Sequence, residues 1–123
     1  MAEKFGAFVR RAREAKEPRI GLREMAKKIG ISPTYLSKVE RDEFPPPAED
    51  KVKAIAKIIE CDTDDLLARA GRVSSDLTQI IKEHPRDMAV LLRGTQGMSD
   101  RERAKMIRSI VDKMKQRRSS DLK

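Results

Sequence analysis

Between Leu22 and Arg41 the chain carries a pattern of size and polarity that few folds satisfy. Of these twenty positions, the fifth is Ala26, small enough for two helices to cross closely. The ninth is Gly30, which takes a left-handed turn conformation without steric cost. The fourth, eighth, tenth, fifteenth and eighteenth are Met25, Ile29, Ile31, Leu36 and Val39, all apolar. These are the requirements of two short helices meeting at a steep angle across a tight turn. Ser32 is placed to cap the second of them and Pro33 to begin it. Its buried side is Tyr35, Leu36 and Val39. Pro33, Thr34, Ser37 and Lys38 face outward, where a short surface helix is ordinarily stabilised by Glu–Lys pairs.

The flanking segments continue the helical reading. Phe5, Phe8, Val9 and Ala12 repeat at helical spacing and predict a helix over residues ~3–16, broken by Pro18 and Gly21. Pro45, Pro46 and Pro47 form an extended segment that cannot lie inside a helix. Val52, Ile55, Ala56 and Ile59 mark the next helix, and Asp62 caps another that runs to Ala70, with Gly71 as its stop. No stretch alternates like a strand. The expected fold class is all-α: a compact five-helix domain over residues 1–72, followed by a C-terminal helical extension over 73–123. In that extension Leu77, Ile80 and Ile81 predict a helix ended by Pro85. Met88, Leu91 and Leu92 predict another, ended by Gly94. Ser99 and Glu102 form a capping box for a long helix to about Arg117, with residues 118–123 as a flexible tail. Ala104, Ile107, Val111 and Met114 line one side of that helix at heptad-like spacing.

Charge narrows the function. The chain of 123 residues has a net charge of +8, unevenly spread. Residues 1–41 hold 11 Lys/Arg against 5 Asp/Glu, residues 42–72 hold 5 against 8, and residues 73–123 hold 12 against 7. A basic first third beside an acidic middle predicts one charged face and a polyanion partner; an ordinary soluble protein with a basic balance is the alternative. The single cysteine, Cys61, permits neither an internal disulfide nor a multi-cysteine metal site, and reads as a small buried side chain. His84 stands alone, and Asp62, Asp64 and Asp65 read as cap and first-turn acids, so no metal site and no cofactor are expected. No GxSxG, phosphate loop or HExxH recommends an enzyme. No run is apolar enough to span a bilayer and no signal segment opens the chain, so a cytoplasmic protein without membrane contact is expected.

The two-helix unit is a helix-turn-helix, and here the likeness becomes specific. The stretch "MAKKIGISPTYLSKVERD", followed by "PPPAEDKVKAIAKIIECDTDDLLARAG", resembles the lambda-repressor-like, XRE-type family of DNA-binding regulators over roughly residues 3–72. In that family the third helix enters the major groove of double-stranded DNA and reads bases from its N-terminal end. The resemblance implies base reading by Pro33, Thr34 and Lys38, with Ser37 on the same face. Lys38 has the reach for guanine O6/N7, Thr34 for a base edge or a thymine methyl, and Pro33 for apolar contact alone. Phosphate contact falls to Arg10, Arg19, Arg23, Lys27 and Lys28; for the two lysines, solvation of their helix is the competing role. The Tyr35 hydroxyl either reaches a phosphate or is buried. The resemblance further implies a partly buried structural ion pair between Arg13 and Glu40. Three positions depart from the family pattern. Leu22 stands where a phosphate-binding Gln is common, Asp42 where a Gly is usual, and the three prolines lack the N–H groups that the loop normally offers to phosphate.

The expected function is a sequence-specific transcription regulator, a dimeric repressor of phage, plasmid or bacterial type. The expected dimer or partner face is Leu77, Ile80, Ile81, Leu91, Leu92, Ile107, Val111 and Met114. The rival reading is an antitoxin that regulates its own operon and binds a toxin through the C-terminal helices. A protein-interaction module without DNA is a third class, against which the basic first third argues.

Overall fold

The computed structural model describes residues 3–121. Among them are eight α-helices and no strand: α1 Phe5–Glu14, α2 Leu22–Ile29, α3 Pro33–Glu40, α4 Glu49–Ile59, α5 Thr63–Arg69, α6 Ser75–Glu83, α7 Pro85–Gly94 and α8 Asp100–Asp121. The chain divides into two compact units, one ending at Thr78 and one beginning at Gln79.

The first unit closes one aliphatic core. Val9, Met25, Leu36, Val52, Ile55, Leu66 and Leu67 are fully or almost fully buried. Each fully buried Leu, Ile or Met contributes ~1.5–3 kcal/mol relative to exposure. Two of its helices, α3 and α5, begin where a side chain provides an acceptor for a free N–H group. Ser32 Oγ accepts from the Tyr35 N–H at 3.1 Å, and Asp62 Oδ1 from the Asp65 N–H at 3.0 Å. Gly30 ends α2 at φ 78°, and the Ile31 N–H returns to the Ala26 carbonyl at 3.0 Å. This closes the tight turn into α3. Cys61 is half-buried against the core, and burial pushes its thiol pKa up.

Two connections were not visible in the sequence. α1 has no cap of its own; Asp42, at φ 58°, places its carboxylate at the helix start and accepts from the Gly6 and Ala7 N–H groups at 2.8 and 3.2 Å. The proline segment is held by Arg72, whose guanidinium donates to the Pro46 carbonyl at 3.1 Å and to the Pro47 carbonyl.

In the second unit, Ser99 Oγ accepts from the Glu102 N–H at 3.1 Å and starts α8. Arg103 donates to the Thr95 and Met98 carbonyls, both at 3.1 Å, and pins the α7–α8 turn. The spacing predicts an end near Arg117. Instead α8 continues to Asp121, since no Gly or Pro follows Gly97 to stop it. Residues 122 and 123 lie outside the described residues.

Candidate nucleic-acid interface

The platform of the site is rigid because α3 is tied down on its inner face. Leu36 and Val39 are buried, and Glu40 is only 5% exposed. The Glu40 carboxylate receives a two-pronged contact from Arg13: Nε to Oε2 and Nη2 to Oε1, both 2.8 Å. The third arm of the guanidinium donates to the Ile20 carbonyl at 2.9 Å. The carboxylate raises the Arg13 pKa above its ordinary value. The pair fixes α1 to α3 and to the approach to α2. Removing one partner would strand a buried charge at a cost of ~3–5 kcal/mol.

The outer face of α3 carries Thr34, exposed, with Pro33, Ser37 and Lys38 half-exposed. The Lys38 ammonium does not project freely: Nζ lies 4.9 Å from the centre of the Phe44 ring. Tyr35 is half-buried against the core, and its ring meets Phe44 with centroids 6.1 Å apart. A cleft lined by Arg10, Arg13, Leu22, Ser37, Glu40 and Arg41 brings Ser37 beside two exposed arginines. Arg41 carries no role in the sequence reading, although it lies four residues beyond Ser37. Its Nε donates to the Ser37 carbonyl at 3.4 Å, and its Nη1 pairs with Glu43 at 3.0 Å.

Arg10, Arg19, Arg23, Lys27 and Lys28 are all exposed. Two of them share an acid: Glu14 Oε1 lies 3.1 Å from Arg10 Nε and 3.4 Å from Arg19 Nη2. The Arg10 contact first, then the surrounding positive charge, holds Glu14 below the usual carboxylate range. A phosphate would have to compete with Glu14 for these two arginines. Lys28 pairs loosely with Glu24 at 4.0 Å. The loop before α4 offers no free donor over residues 43–47. The Glu43 and Phe44 N–H groups both go to the Lys38 carbonyl, at 3.0 and 3.3 Å, and the three prolines have none.

In the second unit Leu91, Leu92, Ile107, Val111 and Met114 are brought together with Met106 and Ile110 along one apolar groove between α7 and α8. Leu77, Ile80 and Ile81 do not line that groove; they are exposed on α6. Among the described residues no group of three His, Cys, Asp or Glu could hold a metal ion. No helix there is long and apolar enough to cross a membrane.

A short capped helix, clamped from behind and polar in front, set in a basic surface, defines a helix-turn-helix domain. The helix-turn-helix domain family matches residues 4–70, and the chain belongs to it. Two uncharacterised HTH-type transcriptional regulators of Mycobacterium tuberculosis, from strains CDC 1551 / Oshkosh and ATCC 25618 / H37Rv, are each 32% identical over 78 residues. The match covers 63% of this chain and 54% of each relative, so the chain spans about half the length of the curated relatives it matches. The P22 c2 repressor, solved in complex with synthetic operator 9T in the presence of Tl+, is similar at 26% identity, over 53% of this chain and 94% of that one, with a TM-score of 0.46.

Proposed function

We propose that this chain binds a specific operator as a dimer and represses transcription by occupying the site. The observation that carries the reading is the two-sided build of α3. Its inner face is locked by Leu36, Val39 and the Arg13–Glu40 pair, and its outer face presents the polar side chains of Thr34, Ser37 and Lys38. Pro33 adds an apolar edge at the helix start. Arg10, Arg19, Arg23, Lys27 and Lys28 supply charge for phosphates, and Arg41 joins them beside Ser37. Such contacts position the protein, while the outer face of α3 reads sequence.

A single recognition helix reads few base pairs, and two copies set half-sites about one helical turn apart, ~34–36 Å. The apolar groove of the second unit supports a second copy as the means of pairing. The same groove supports the alternative, in which an antitoxin holds a toxin there.

Selection of duplexes from a random pool tests both operator and spacing. Lys38→Ala and Thr34→Ala should each lose ~1–3 kcal/mol on the selected duplex and relax preference at one base position, with little change on random DNA. Equal weakening on both would show that α3 does not read sequence.

A further inference from the structure

We propose that Phe44, which lies outside the helix-turn-helix, is a positioning residue that presets Lys38 for base reading. The inference rests on the reading of Lys38 given above. Phe44 is 44% exposed, an unfavourable place for a phenyl ring, while Phe5 is buried and Phe8 and Tyr35 pack on the core. Its backbone is anchored rather than loose. The N–H groups of Glu43 and Phe44 converge on the Lys38 carbonyl, and Pro45 to Pro47 follow at once. Arg72 holds the carbonyls of Pro46 and Pro47 from behind. The Tyr35 ring meets the Phe44 ring at 59° between planes. The phenyl face is thus fixed beside α3, and the Lys38 ammonium sits over it at 4.9 Å. A ring's negative face attracts a cation.

The consequence concerns entropy and reach. A lysine carries a long flexible stem and loses rotamer freedom when it commits to a base. Held over Phe44, Lys38 has already lost part of that freedom before DNA arrives, and its ammonium is confined to one edge of the reading face. Residues 43–47 have no N–H left for a phosphate, so the group this stretch offers to the interface is the ring. Phe44 would thereby sharpen the choice of base made by Lys38 without touching the base.

The test uses the full chain, the duplex selected from the random pool, a random duplex, and operators altered at the base pair that Lys38→Ala relaxes. Phe44→Ala and Phe44→Leu should each weaken the selected duplex about two- to fivefold, the worth of an exposed cation–π contact. They should weaken random DNA less and relax the same base position. Phe44→Tyr should restore binding, since it keeps the aromatic face. In the Lys38→Ala background Phe44→Ala should cost nothing further. Wild-type behaviour of Phe44→Leu would reduce the role to bulk and overturn the proposal. Additive losses in the double variant would overturn it too, by showing that Phe44 meets DNA on its own account. If Lys38→Ala weakens all duplexes equally, the reading of Lys38 itself fails. If Lys38→Ala is specific and Phe44 is additive, only the present inference fails. Thermal melting separates each loss from unfolding.

Discussion

Gly6 lacks a side chain because α3 occupies the space. A Cβ there would stand 2.1 Å from the Val39 carbonyl oxygen and 2.7 Å from Asp42 Oδ1. That close approach lets Asp42 reach the first N–H groups of α1. Two effects compete in Gly6→Ala. Helix propensity favours alanine by ~1 kcal/mol. The clash with backbone cannot be relieved by a rotamer change, and overpacking costs ~1–3 kcal/mol, with a backbone clash at the upper end. The clash wins, so Gly6→Ala should be destabilising by about 2 kcal/mol in denaturant melts. An equal or raised midpoint would show that α1 shifts at little cost. Asp42 explains one departure from the family pattern: an aspartate in the left-handed region costs strain, but its carboxylate caps a helix that has no other cap.

At the scale of elements, α6 is joined to α4 through one carboxylate. Glu49 accepts from the Ser75 N–H at 2.8 Å and from the Ser75 hydroxyl at 2.7 Å. These donors hold the Glu49 pKa below its ordinary value of 4.5. A lowered carboxylate pKa adds stability that is complete above the unfolded value and is lost as pH falls through the folded one. The start of α6 should therefore stay fixed above pH 4.5 and loosen only at more acid pH. An NMR acid titration that follows the Ser75 amide checks this. Glu49→Gln should show the loosened amide at neutral pH. A Ser75 signal that ignores both changes would mean the contact does not persist in solution.

For the whole molecule the open question is what covers the second unit. Leu91, Leu92, Ile107, Val111 and Met114 are all exposed at between 37% and 60%. The reading proposed above covers these side chains with a partner surface. If that surface is a second copy, Ile107→Glu with Val111→Glu should turn a dimer into a monomer in sedimentation. It should also lower operator affinity by ~10²–10⁴, the gain from holding two half-sites together. A wild-type chain that sediments as a monomer at micromolar concentration would turn the groove over to another protein.

Local rules govern the part of this fold that could be read from the chain. Helical periodicity, the caps Ser32, Asp62 and Ser99, and the stops at Gly30 and Gly71 depend on neighbours within a turn or two, so eight helices and the outward residues of α3 were readable. The Arg13–Glu40 pair was readable only through family likeness, since 27 residues separate the partners. The tertiary structure alone decided the contacts made across distance. Asp42 caps a helix 36 residues away, and Arg72 holds prolines 25 and 26 residues before it. Long-range partners leave no periodic trace, because any exposed Arg or Asp satisfies the local pattern equally well; only the packing of α1, α3 and α4 decides which of them meet.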